Sequence, residues 1–199
     1  PLLRNGADVL MRQILETFGV FGVYGFSGTF LIGFIVAFLR QKKNLRSSAV
    51  RGEYLLTMFI ESIGWAIILT IVMMWTPTVL MISTKDSRLM QHIVLAVGAG
   101  IYEEFVFRVI LITGLSHVIG FIFQWNNLAK NTCAILLSAM FFSGFHFVGV
   151  YGEIPSINLF IIRTLAGVVL GGIYVMRGFG VAAYTHTIYD LFVLVKFTT

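Results

Sequence analysis

Glu103, Glu104 and Arg108 stand in the middle of an apolar run, 89–115, where charge is least expected. A charged side chain at a bilayer centre costs about 2.5–3.5 kcal/mol on insertion scales, so none of the three can face lipid. Their spacing suggests how they divide the work. Glu104 and Arg108 are i and i+4, share one helix face and can pair. Glu103 is rotated by about 100° from Glu104, so it can point elsewhere while its neighbour is held. One carboxylate is then structural and the other is left for chemistry.

Three more polar groups lie in later apolar runs. His146 closes Phe142-Ser143-Gly144-Phe145-His146, and His186 and Asp190 are again i and i+4. Gathered inside a bundle, Glu103, Glu104, His146, His186 and Asp190 would surround a hydrated pocket suited to activating a water molecule. A carboxylate takes the proton, and imidazole or another donor stabilises the developing oxyanion. Each group also has a plainer explanation: a Glu–Arg pair as helix glue, a histidine as a packing residue. Together they multiply the insertion cost, which favours a shared function. Lesser candidates are His92, three turns before Glu103 and fit to line an entrance, and His117, expected in a loop or span end. Glu61 is expected in a cavity or at a boundary, Arg163 to snorkel or pair with an acid, and Glu153 in a loop.

The elements that must position these groups are transmembrane helices. The chain has 199 residues, of which 58% are hydrophobic and 12% charged, with a mean hydropathy of +0.91. About a quarter of a soluble domain is charged, so this chain cannot cover a water-facing surface. Residues 1–18 read as an amphipathic segment at the interface. Spans follow at about 19–39, 54–81, 89–115, 128–148, 157–176 and 179–195. This is an all-α, polytopic transmembrane bundle of about six helices. It divides into the segment 1–18, N-terminal helices over 19–88 and a catalytic core over 89–199. Pro77 should kink or end the second span, a short re-entrant piece could occupy 117–127, and residues 151–155 and Arg177-Gly178 read as turns. Gly167 and Gly171 have the small-xxx-small spacing of close helix contact. The net charge of +5 is carried mostly by short loops, which points to the membrane surface rather than to nucleic acid. Cys133 is the single cysteine; it excludes an internal disulfide or a cysteine-based zinc site and reads as a packing residue.

The three polar motifs resemble those of the CPBP family, which contains the CAAX prenyl endopeptidases and the bacterial Abi and bacteriocin-immunity proteins. Glu103-Glu104-Phe105-Val106-Phe107-Arg108 is similar to its EExxxR motif, Phe142 to His146 to its FxxxH, and His186 to Asp190 to its HxxxN/D. They occur in the family's order on separate spans, over about residues 89–195. The resemblance implies a multi-pass intramembrane protease, in a bacterial plasma (inner) membrane, with its cavity open to the cytoplasm. It implies that Glu103 activates water with help from His146, that His186 and Asp190 form the oxyanion site, and that Glu104 and Arg108 support the geometry. The prenyl endopeptidases carry Asn where this chain has Asp190. Asn donates a hydrogen bond at any pH; Asp donates only when protonated, and otherwise orients His186 or ligates a metal.

Four functions compete. The first is a peptidase acting on a membrane-embedded or membrane-associated peptide or protein, with no cofactor. The second is a zinc form of it, using His146, His186 and Glu103. The third is a non-catalytic immunity or scaffold protein, and the fourth a proton-coupled transporter, for which no half-helix or repeat signature speaks. There is no HExxH. Loop 40–51 holds five cations and no acid and is therefore expected in the cytoplasm. Cysteines introduced at Ser47 or Ser48 should be shielded from an impermeant thiol reagent in intact cells; ready labelling there would reverse this assignment.

Overall fold

The computed structural model describes residues 52–74, 89–148 and 154–198, with the isolated helical positions Gly28, Ile32 and Ile35. The segment 1–18, most of the span 19–39, the loop 40–51, Pro77 and Glu153 lie outside the described residues. Those described are helical with short turns. In chain order they form α1 (Gly52–Met74), α2 (Leu89–Glu104), a π-helix (Phe105–Ile112), α3 (Thr113–Phe123), α4 (Asn127–Phe145), α5 (Ile157–Arg177) and α6 (Phe179–Thr198). Among the described residues four stretches are long and apolar enough to cross a membrane: Gly52–Met74, Gly100–Phe123, Asn127–Phe145 and Ile157–Arg177. Large apolar side chains such as Ile60, Phe121 and Ile157 stay on the outside, where a bilayer and not water would cover them.

The third span runs further than its sequence suggests. α2, the π-helix and α3 make one rod that continues to Phe123, so residues 117–123 are helix and hold no re-entrant piece. His117 is an exposed member of α3, its Nδ1 donating to the Thr113 carbonyl at 2.7 Å. The rod stops where Gln124 adopts φ 53° and its amide bonds Gly120 O at 3.1 Å. Asn126 then caps α4 by accepting from the Ala129 amide at 2.8 Å. α4 ends earlier than the expected 148: His146 stands outside it, as its C-cap. The expected turn at Arg177-Gly178 forms, with Gly178 at φ 87° and its amide on Tyr174 O at 2.9 Å; an L side chain rarely adopts that φ.

Neighbouring helices lie close because small residues meet. A Cβ on Gly167 would come within 3.0 Å of Ala139 Cα, and one on Gly171 within 3.0 Å of Ile135 Cγ2. This is the close α4–α5 contact expected of the small-xxx-small spacing. α1 runs beside α6, with the Ser62 hydroxyl 3.4 Å from Val181 O and Phe59 edge-on to Tyr184. Glu61 pairs across the bundle: its carboxylate accepts from Arg177 Nε and Nη2, both at 2.6 Å, and from Trp65 Nε1 at 3.3 Å. Leu69, Met73, Leu170, Ile173, Val181 and Ala182 form the core where α1, α5 and α6 meet. Half-buried Cys133 packs on a smaller cluster of Ile112, Ile119 and Ala134.

α2 packs tightly on α6 at Gly100, where a Cβ would collide with Thr187 Oγ1 and sit 2.9 Å from the Thr187 amide. Gly98 has open space around it. Overpacking costs about 1–3 kcal/mol. Gly100→Ala should therefore lower the thermal unfolding temperature in detergent and Gly98→Ala should not; equal effects would mean that the α2–α6 contact is not tight.

Candidate active site

Glu104 is the centre of the polar cluster. It is fully buried, and each of its oxygens has a different cationic or protic neighbour. Oε2 is 3.0 Å from Arg108 Nε, and Oε1 is 2.8 Å from His186 Nδ1. The Arg108 contact is an ion pair and not an aligned hydrogen bond. The guanidinium gains a second partner in the Phe142 ring, whose centroid is 4.8 Å away; a desolvated cation–π contact contributes about 2 kcal/mol. A carboxylate only accepts, so the 2.8 Å contact places the proton of the His186 Nδ1–Glu104 bond on the ring nitrogen. The i,i+4 contact with Arg108 forms, and Glu104 serves two partners rather than one.

The backbone makes room for this. The helix widens into a π-helix immediately after Glu104, across the whole of Phe105–Ile112. Such segments are rare and concentrate at functional sites. Inside it the Phe107 carbonyl accepts from the buried Ser138 hydroxyl of α4 at 2.6 Å. Phe107 also meets Phe142 and Phe145 edge to face, at 5.2 and 5.6 Å between centroids. The segment that carries Arg108 is therefore bolted to α4, the helix that His146 caps.

Glu103, next in the chain, points the other way. It lines a cavity of about 180 Å³ with His146, His186 and Asp190. Glu103 is 3% exposed. Phe142, with Leu69, Met73 and Leu170, supplies apolar wall. His146 is oriented by its own helix: Nδ1 donates to Phe142 O at 2.8 Å, so in the neutral ring Nε2 carries the lone pair. His186 Nε2 lies 3.6 Å from Asp190 Oδ2, too far for a hydrogen bond but close enough for charge to be felt. The Phe142 ring touches both imidazoles, with centroids 4.9 Å from His146 and 6.1 Å from His186. Of the six expected site residues, four face the cavity; Glu104 and Arg108 stand behind His186.

Two further residues line the cavity. Arg163 was expected to snorkel or pair with an acid; it is buried, lines the cavity and lies over the Phe147 ring at 5.6 Å. The insertion cost that drew notice to Glu103 applies equally to an arginine seven residues into α5. Tyr189 also lines the cavity and carries no signal beyond its place beside Asp190. α1 contributes Leu69 and Met73, so the cavity is not confined to residues 89–199. His92 lies in α2, its side chain outside the described residues.

Among the described residues no group of three or more His, Cys, Asp and Glu stands at metal-binding geometry. His186 Nδ1 is directed at Glu104 and His146 Nδ1 at a carbonyl, so Nε2 is the nitrogen that each ring has left for the cavity.

A family model described as type II CAAX prenyl endopeptidase, Rce1-like, matches residues 85–192. No curated protein and no solved structure matches the chain.

The two adjacent carboxylates should behave differently. Glu104→Gln leaves Arg108 without its counter-charge, and breaking a buried pair costs about 3–5 kcal/mol. Its abundance and thermal stability in detergent should fall by that order, while Glu103→Gln should stay near the parent protein. Equal stabilities would contradict this division.

Proposed function

The chain belongs to the Rce1-like family of type II CAAX prenyl endopeptidases, and on that premise we propose that it hydrolyses a peptide bond of a membrane-associated substrate with a water activated by Glu103 and His146. The observation that carries this reading is the shared cavity. Glu103, His146, His186 and Asp190 face one cavity between helices, of a size that admits water.

Glu103 takes a proton from the water, and the resulting hydroxide attacks the carbonyl carbon of the scissile bond. His146 Nε2 orients that water by accepting its second hydrogen, since Nδ1 is committed to Phe142 O. The carbonyl oxygen becomes an oxyanion. When His186 is protonated on both nitrogens, Nε2–H donates to that oxyanion while Nδ1–H rests on Glu104. Glu103 then returns the proton to the leaving amine as the carbon–nitrogen bond breaks. Asp190 balances charge beside His186 Nε2 and, when protonated, adds a second donor. Glu104 and Arg108 are positioning residues. The catalytic unit is 89–199, with α1 closing one wall.

The test is cleavage of a panel of membrane-associated peptides by detergent-purified protein, a farnesylated CAAX peptide and its unprenylated form among them. Each of Glu103→Ala, His146→Ala and His186→Ala should lower turnover at least about a hundredfold. A zinc chelator should leave turnover unchanged, and elemental analysis should find no zinc near one per chain. Chelator-sensitive turnover restored by Zn²⁺ would replace this mechanism with a zinc-dependent one. Full turnover by Glu103→Ala would end both.

A further inference from the structure

Hydrolysis needs hydrogen-bond donors for the oxyanion, and few side chains around the cavity can supply one. His146 has its Nδ1–H on Phe142 O, and its Nε2 accepts. Glu103 is occupied by the water. Asp190 is excluded by charge. Its Oδ2 lies 3.6 Å from His186 Nε2. His186 donates to the oxyanion only when both its nitrogens are protonated, and an imidazolium and a carboxylate at that distance stabilise one another. Asp190 is therefore ionised in the state in which His186 donates. An ionised carboxylate only accepts, and it repels a developing oxyanion.

Two further side-chain donors line the cavity, Arg163 and Tyr189. Arg163 is the farther from the His186–Asp190 pair. It reaches in from α5, lies over the Phe147 ring at 5.6 Å, and its charge is felt at Tyr189 but not at His186 or Asp190. Tyr189 shares a helix face with the pair: His186, Tyr189 and Asp190 are i, i+3 and i+4 on α6. A long helical side chain leans back over the preceding turn, here the turn that holds His186. The Tyr189 ring packs against the core shared by α1, α5 and α6, which fixes it. Among the described residues its hydroxyl makes no hydrogen bond. A phenol is neutral at physiological pH and donates whatever the charge state of its neighbours.

We propose that Tyr189 is a further catalytic residue, whose hydroxyl donates a second hydrogen bond to the oxyanion beside His186 Nε2–H. The assignment rests on the peptidase reading of the cavity. No proton leaves the phenol. Its hydrogen bond strengthens as hydroxide adds and charge builds on the former carbonyl oxygen, and it weakens again as the carbon–nitrogen bond breaks. A donor of this kind acts on the transition state and lowers the barrier without tightening substrate binding.

Tyr189→Phe keeps the ring and its packing and removes the donor. In the cleavage assay on detergent-purified protein its kcat should fall about a hundredfold, with KM and thermal unfolding temperature near those of the parent protein. A second measurement needs no turnover. A phosphinate isostere of the farnesylated CAAX peptide carries an anionic oxygen where the oxyanion would form. It should bind Tyr189→Phe about a hundredfold more weakly than the parent protein. Parental kcat in Tyr189→Phe, or a raised KM at unchanged kcat, would overturn the assignment. Phosphinate binding that is absent, or indifferent to position 189, would overturn it as well. The two readings fail differently. Cleavage that needs Glu103 but not Tyr189 would retire Tyr189 alone. Phosphinate binding that depends on Tyr189, with no peptide cut, would retire the peptidase reading and keep Tyr189 as the cavity's anion donor.

Discussion

A single buried carboxylate holds the polar interior of this bundle together. Glu104 has no solvent contact and meets Arg108 on one oxygen and His186 on the other. Removing a carboxylate from water costs several kcal/mol, and the cost is offset only where partners of opposite charge and hydrogen-bond donors surround it. Here the partners come from the same rod, one turn on, and from α6, 82 residues away in sequence. The triad therefore fixes the depth and rotation of α6 against α2. It also fixes the His186 ring, since Nδ1 is committed behind the cavity and Nε2 remains on the cavity side.

The widened turn after Glu104 and the aromatic cluster follow from that constraint. Arg108 reaches both Glu104 and the face of Phe142 from within the π-helix. Ser138 and Phe107 anchor the segment to α4. Phe142 is shared: Arg108 lies over its face, and both cavity histidines meet it edge-on. A change at any of these residues would reach His146 and His186 through one ring.

Much of this was legible in the sequence because of cost. Charges in apolar runs identified Glu103, Glu104, Arg108, His186 and Asp190 as inward-facing, and i,i+4 spacing paired Glu104 with Arg108. Small residues at 167 and 171 announced the α4–α5 contact. What remained hidden was long-range or conformational. No local spacing reveals that Glu104, rather than Glu103 or Asp190, receives His186 Nδ1. A π-helix differs from an α-helix by a single hydrogen-bond offset and leaves the apolar pattern nearly intact. The third span was expected to end at 115, with His117 in a loop or span end, yet the polar groups there are accommodated within the helix: Ser116 donates to Asn131 at 2.6 Å and His117 to the carbonyl one turn back.

The central claim is that Glu104 and His186 act as one unit. A double-mutant cycle measures it most directly, using thermal unfolding in detergent of Glu104→Gln, His186→Gln and the double variant. Residues sharing a buried polar network couple by about 0.5–3 kcal/mol. The expected result is a double variant little less stable than Glu104→Gln alone, with a coupling energy in that range. Strictly additive losses would contradict the shared bond and, with it, the fixed orientation of His186.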